Sequence, residues 1–341
     1  MIEIDGSFGY GQVLRTSIAL SSLASKPIRI FNIRKGRSRP GLMPQHLAGV
    51  KIAGEFSNAK IRGLAIGSTE IEFIPNELNI SDKKIDIGTA GQIPLLLQTL
   101  FPLLLKADEE TDLEITGGTS GLGSPSMQFL QFVTFPILSR FGISVPQVEI
   151  VKEGFYPRGG GKVKIRTFPA KKIKPVQIME RGKIKILKGV SVVGSLPNHV
   201  SERQSTGAIQ TLKKHGFDLD LESKNVNTLS PGTSITLWAE CENSILGSDE
   251  IGKKGLRAEV VGENCAKNLI KSIESISALD KWTADQVLIF LSLAHGSSEI
   301  KVEEITEHCR TNMKVINEIL GIEFEVDEES RTIKVKGIGN V

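Results

Sequence analysis

The sequence predicts an α+β protein built from repeated strand–helix units, with a smaller α+β module inserted late in the chain. Three observations predict it. Gln12, Gln92 and Gln286 each stand at the head of an apolar helical stretch followed by a strand-like run. The first two are 80 residues apart and the last two 194, so extra chain lies between the second and third units. That extra chain carries its own alternation of strand and helix patterns over about ninety residues, enough for a small core.

The chain has 341 residues, which fits two domains or one large domain with an insertion. Hydrophobic content of 40% and charged content of 24% allow an ample core. No run of eighteen apolar residues predicts a membrane helix. The start, Met1 to Gly6, lacks the basic-then-apolar layout of a signal peptide, so a cytoplasmic protein is expected. Cys241, Cys265 and Cys309 are too few and scattered for a disulfide framework or zinc site. A net charge of +3 is too mild to argue nucleic-acid binding, so phosphate recognition must come from local clusters.

Residues 2–5 read as a strand, and Gly6 to Gln12 as a glycine-rich turn. Val13 to Ala24 reads as a helix, with Leu14, Ile18, Leu20 and Leu23 near helical spacing. Such a junction suits an anion or simply a tight connection; it is neither a GxGxxG nor a Walker pattern. The strand Ile28–Phe31 leads into Ile33 to His46, which carries Arg34, Lys35, Arg37 and Arg39 around Gly and Pro. Cations leaving a strand end can hold an anion, and a solvated basic loop is the plainer alternative. Arg15 joins this cluster if the first two units of structure pack as neighbours. Pro44 to Phe56 reads as the next helix.

The second unit runs Ile85 to Gln92, the helix Ile93 to Leu105 and the strand Asp112–Thr116. The small-residue loop Gly117 to Ser126 follows, of the kind that lies against a ligand or another backbone. Phe129 beyond it suits either a stacked base or the core. Gly159, Gly160 and Gly161 turn into an alternating strand, with Arg158 as a weaker phosphate candidate. The insertion shows strands at 184–193, 217–221 and 234–239, and helices at 198–214 and 255–276. The third unit opens near Ala284, with a strand at 299–302. Domain boundaries are set at 1–180 plus 278–341 for the large domain and 181–277 for the insertion.

Among the five histidines, His46 sits beside the cation cluster and His308 lies in Glu307-His308-Cys309-Arg310. A lone histidine is more often structural than catalytic, so the residues alone do not nominate either. No nucleophile elbow, HExxH or paired Cys/His spacing occurs.

The stretches IEIDGSFGYGQVLR, NIRKGRSRPGLMPQHL, GTAGQIPLLLQT, GGTSGLGSPSMQF, GFYPRGGGKV, HVSERQ, TADQVL and EHCRTNMKVI together resemble the RNA 3′-terminal phosphate cyclase family. The resemblance implies three repeated βαβαββ-like units and a smaller inserted domain. It implies ATP-dependent conversion of an RNA 3′-phosphate to a 2′,3′-cyclic phosphate, through a histidine–AMP intermediate and an adenylated RNA end. It places the nucleophile at His308. The RNA end falls on Gln12, Arg15, Arg34, Arg37 and Gln45. The ATP site falls on Gln98, Pro125, Phe129, Trp282, Thr283, Ala284, Asp285 and Gln286. ATP and a divalent metal, Mg or Mn, are the implied cofactors, with no metal ligand assigned; RNA 3′-phosphate ends are the implied partner, with no membrane. The family usually has a longer Gly-Glu-Gly-Gly-Gly-Gln turn whose glutamate is thought to bind metal. Here the turn is Gly9-Tyr10-Gly11-Gln12, two residues shorter, and Asp5 is the nearest substitute carboxylate. The alternative from a different class is a non-catalytic RNA-binding relative acting in ribosome assembly. Carboxyvinyl-transfer enzymes share the architecture only.

Overall fold

In the computed structural model, which describes residues 1–339, three four-stranded sheets share one strand order. The first unit is β1 (Ile2–Asp5), α1 (Tyr10–Ala24), β2 (Ile28–Phe31), α2 (Pro44–Phe56), β3 (Lys60–Arg62) and β4 (Ile71–Ile74). The second is β5 (Lys83–Asp86), α3 (Ile93–Leu104) and β6 (Thr111–Gly117), then α4 (Met127–Phe129) and α5 (Phe135–Leu138) joined by a π-helical turn at Leu130–Thr134, then β7 (Gln147–Lys152) and β8 (Gly161–Thr167). The third begins at β9 (Gln177–Ile178) and leaves at once for β10 (Ile184–Gly194), α6 (His199–Lys214), β11 (Leu219–Val226), β12 (Gly232–Cys241), β13 (Ile245–Ile251) and α7 (Ala258–Glu274). It resumes with α8 (Lys281–Leu293), β14 (Ser297–Lys301), α9 (Glu307–Leu320), β15 (Phe324–Asp327) and β16 (Thr332–Lys336).

The three sheets run β1-β2-β4-β3, β5-β6-β8-β7 and β9-β14-β16-β15. In each, the first two strands are parallel and the rest antiparallel. A parallel pair needs a crossover, and α1, α3 and α8 lie on those crossovers. The strands alternate as a sheet covered on one face must. In β8, Val163 and Ile165 are buried while Lys164 and Arg166 face out. The outward residues pair across strands: Lys162 with Glu114 at 2.8 Å and Arg166 with Asp112 at 2.8 Å. These exposed pairs fix register more than they add stability.

The buried faces enclose a ring of helices. α1 packs on α3 and α9, α3 on α2 and α8, and α8 on α9. α1 is interior, with Val13, Leu14, Ile18, Ala19 and Leu20 all buried. One apolar core runs through this body from Ile4 to Val335. The fourth sheet, β11-β10-β12-β13, has a different order and a core of its own, from Leu187 to Ile273. Helices α6 and α7 cross on it very closely. A Cβ on Gly262 would sit 2.0 Å from the Gln204 carbonyl oxygen, and one on Gly207 2.2 Å from that of Glu259. Between the two cores, Phe132 stacks on Trp238 at 4.6 Å, beside Phe129, Val133 and Phe155.

Several boundaries differ from the sequence reading. α1 starts at Tyr10 rather than Val13, with Gly9 at the N-cap position. α8 starts at Lys281, because Asp280 caps it through the amides of Trp282 and Thr283. Gln286 therefore lies inside α8 rather than at its head. β11 runs to Val226, drawn on by a parallel ladder along β10. β3, β4 and β13 went unread; they are short or lack apolar alternation. Among the described residues no helix is long and apolar enough to cross a membrane.

Candidate active site

The first turn of α9 carries His308. Thr306 caps that helix by accepting the Cys309 amide, and Cys309, Met313, Val315 and Ile316 are buried against the body. His308 is thereby left on the exposed side of the first turn. Gln12, in the first turn of α1, grips it twice. Its Oε1 accepts from His308 Nδ1, and its Nε2 donates to the His308 carbonyl at 3.2 Å. An Nδ1–H held by an acceptor leaves the lone pair on Nε2. Burial, then the charges of Arg15 and Arg37, lower the imidazole's pKa from its ordinary value of 6.5. The neutral ring is thereby favoured, with Nε2 carrying the free lone pair.

His308 stands on the wall of a cavity of about 390 Å³, a volume suited to a nucleotide. Gln12, Arg15, Gln98, Pro125, Phe129, Trp282, Asp285 and Gln286 line the same cavity. Arg15 is held by its Nε donating to Gln98 Oε1 at 3.0 Å, and its Nη groups stay free of protein acceptors among the described residues. Burial lowers its pKa to about 10, against the attraction of Asp285, so it keeps its charge. Burial raises the Asp285 carboxyl to about 7, partly offset by Arg15. Trp282 is 41% exposed, with Lys281 Nζ 4.8 Å from its ring centroid. Phe129, by contrast, is fully buried in the seam between the cores. Of the two aromatics on the wall, Trp282 is thus the accessible one.

Other expected site residues lie apart from this cavity. Thr283 and Ala284 are buried in α8, where Thr283 Oγ1 donates to Asp280. Arg34 spends Nη1 on the carbonyls of Arg39 and Gly41, both at 2.8 Å, closing its own loop. Arg37 lies over the Tyr10 ring, 4.0 Å from its centroid. Gln45 Oε1 accepts the Gln92 amide at 3.1 Å, tying the first unit to the head of α3. His46 is buried, accepts the Met43 amide on Nδ1, and is held to a pKa of about 3 by burial, Arg15 and Arg34. It caps α2 as a neutral ring and is not free to meet a substrate proton. Arg158 is absent from the cavity wall; its amide donates to Ser230.

Sequence reasoning missed residues that build the site. Asn312 accepts from Thr16 and donates to the Asp285 carbonyl at 2.8 Å, locking α1, α8 and α9 together. Asp249 and Glu250 reach the cavity from β13. Asp249 accepts the Ser126 amide at 2.7 Å, and burial raises its pKa to about 6. No local pattern announces Asp249, because its strand was itself unread. Asp5 does not stand in for the missing glutamate: it accepts from the Ser7 amide and Asn32 and lies off the cavity wall. Among the described residues no three His, Cys, Asp or Glu side chains gather as a metal cage. A magnesium or manganese ion carried on a triphosphate needs only one or two carboxylates, and the cavity wall holds those of Asp249, Glu250 and Asp285.

A neutral histidine on the wall of a nucleotide-sized cavity, with a buried cation beside it, is the layout of a group-transfer enzyme. The profile of the RNA 3′-terminal phosphate cyclase family matches residues 7–326. Three proteins named RNA 3′-terminal phosphate cyclase align along almost the whole chain. That of Pyrobaculum aerophilum is 40% identical, covering 99% of both chains. That of Ignicoccus hospitalis is 42% identical over 99% of both. That of Thermococcus kodakarensis is 43% identical over 96% of this chain and 95% of its own. The chain belongs to the RNA 3′-terminal phosphate cyclase family.

Proposed function

We propose that this protein is an ATP-dependent RNA 3′-terminal phosphate cyclase with His308 as its nucleophile. The observation that carries the assignment is the grip of Gln12 on His308, which turns Nε2 toward reaction at the wall of the nucleotide-sized cavity. Nε2 attacks the α-phosphorus of ATP; a P–N bond forms, the α–β P–O bond breaks and pyrophosphate leaves. An oxygen of the RNA 3′-phosphate then attacks the same phosphorus and displaces Nε2, giving an RNA–AMP anhydride and free His308. The vicinal 2′-OH attacks the 3′-phosphorus, its proton passing to solvent; the P–O bond to AMP breaks, AMP leaves and the ring closes.

Each wall residue has a part in this reading. Trp282 offers its face to adenine, with Pro125 and Phe129 shaping the pocket behind it. Gln286, held by Thr134 and the Trp282 carbonyl, fixes that wall. Gln98 aims Arg15, whose buried charge opposes the negative charge that develops on the transferred phosphoryl group. Arg37 meets the RNA phosphate, while Arg34 and Gln45 shape the loop and helix around it. Asp249 and Asp285 would hold a divalent ion, which neutralises the leaving pyrophosphate when bound. We divide the chain into a catalytic body, 1–180 with 278–341, and an inserted module, 181–277, on the strength of their separate cores. We place the reaction in the cytoplasm, where ATP and RNA ends meet.

The test is incubation with α-labelled ATP and a divalent metal, followed by denaturation. An acid-labile, alkali-stable adduct on the protein, lost in His308→Ala, is expected. No adduct with Mg²⁺ or Mn²⁺ would leave the non-catalytic RNA-binding reading. An adduct that persists in His308→Ala would move the nucleophile elsewhere.

A further inference from the structure

Tyr10 is the first residue of α1, with φ at 51°. A bulky residue is rarely held in that region, and the strain persists only where surroundings impose it. The ring is nevertheless 42% exposed, so packing in a core does not account for it. What lies on it is Arg37, with Cζ 4.0 Å from the ring centroid, while the chain at Gly36 runs along the ring edge, where an added Cβ would be 3.5 Å from Cε1. That separation is within cation–π range.

Arg15, Arg34 and Arg37 differ in how their donors are used. Arg34 is spent on loop carbonyls, and Arg15 is anchored on Gln98. Among the described residues no protein group accepts from the Arg37 guanidinium or pairs with it. A cation with a rigid seat and an unused fork is prepared for a doubly charged ligand. Two residues beyond Tyr10, Gln12 holds His308, so the shelf and the nucleophile's clamp share one turn of helix.

We propose that Tyr10 is a positioning residue. Its ring is a shelf that fixes Arg37 with its fork free for the terminal 3′-phosphate of the RNA, and so sets the preference for phosphate-ended over hydroxyl-ended RNA. This rests on the cyclase reading and on Arg37 as the phosphate contact.

The experiment measures binding without ATP. Two fluorescent RNAs of one sequence, ending in a 3′-phosphate or a 3′-hydroxyl, are titrated by anisotropy with the full chain at fixed salt. Wild type is expected to prefer the phosphate end. Tyr10→Leu should cut that preference roughly 3- to 10-fold, by weakening the phosphate-ended RNA alone. Tyr10→Phe should keep it, and pentafluorophenylalanine at position 10, which drains the ring face of negative charge, should lose it again. Tyr10→Leu as selective as wild type would overturn the inference, as would a fluorinated ring as selective as Phe. A wild type that does not distinguish the two ends would overturn the cyclase reading itself, and this inference with it.

Discussion

Replacing Gln12 with leucine should slow formation of the histidine–AMP adduct by roughly 5- to 150-fold. The leucine keeps the approximate volume but removes both contacts with His308, the acceptor for Nδ1–H and the donor to the carbonyl. Each such bond contributes about 0.5–1.5 kcal/mol net, so their joint loss costs about 1–3 kcal/mol of the orientation that the attack requires. The Gln12→Glu variant sharpens the test. A carboxylate still accepts from Nδ1 but adds a negative charge, which favours the imidazolium. The neutral ring is the reacting form, and burial and neighbouring cations hold its pKa below the ordinary 6.5. The adduct rate of wild type should therefore rise with pH and level off near neutrality. In Gln12→Glu the rise should move to higher pH. The assay is a rapid-quench burst with α-labelled ATP between pH 5 and 9. A Gln12→Leu burst as fast as wild type, or a Gln12→Glu profile that does not move upward, would refute the clamp as the source of reactivity.

Four further outcomes are expected. Arg15→Met removes a cation from beside His308 and should raise the imidazole pKa, read as an upward shift of its ring-proton NMR titration. Trp282→Ala should raise KM for ATP about 5- to 150-fold, the loss of about 1–3 kcal/mol of stacking, and Trp282→Phe should recover most of it. The Asp285 carboxyl is raised to about 7 in the fold, above its ordinary 3.8, so the stability linked to its proton is complete below about pH 4 and lost as pH rises through 7. Melting of ligand-free Asp285→Asn should accordingly gain on wild type by a few degrees from pH 4 to pH 8; a constant difference would contradict this. Gly262→Ala should lower the melting temperature, because overpacking costs of about 1–3 kcal/mol at the α6–α7 crossing outweigh the better helix propensity of alanine.

The parts of the fold that could be read from sequence are those whose signal is local. The apolar helices, with Leu14 and Ile18 in α1 and the run in α3, announce themselves by spacing, and α2 begins and ends as read. The spacing of Gln12, Gln92 and Gln286 led to the reading of repeated units, and three sheets do share one strand order, although only Gln92 stands at a helix head. The site is legible to a much smaller degree, because it is assembled from distant chain. Gln12 and His308 are 296 residues apart, and no spacing rule links them. Arg34 and Gln45 look like free polar groups in sequence, and only the fold reveals the carbonyls and amide that use them. Asp249 was hidden in a strand without alternation, and Asn312 among ordinary polar positions of α9.

The two ends of the segment that holds the fourth sheet meet: Arg181 Nη2 donates to the Ile273 carbonyl, 92 residues later, at 3.3 Å. Its host sheet must bring Val176 to Ser298, 122 residues on. Once the inserted module has folded on its own core, the chain left to close that contact is about fourfold shorter, which lowers the closure cost by about 1.2 kcal/mol. During synthesis the first two sheets can form from contiguous chain, while the third waits for a module that contributes nothing to its strands. The same segment also carries Asp249 and Glu250 to the cavity wall on β13, so damage within it reaches the site directly.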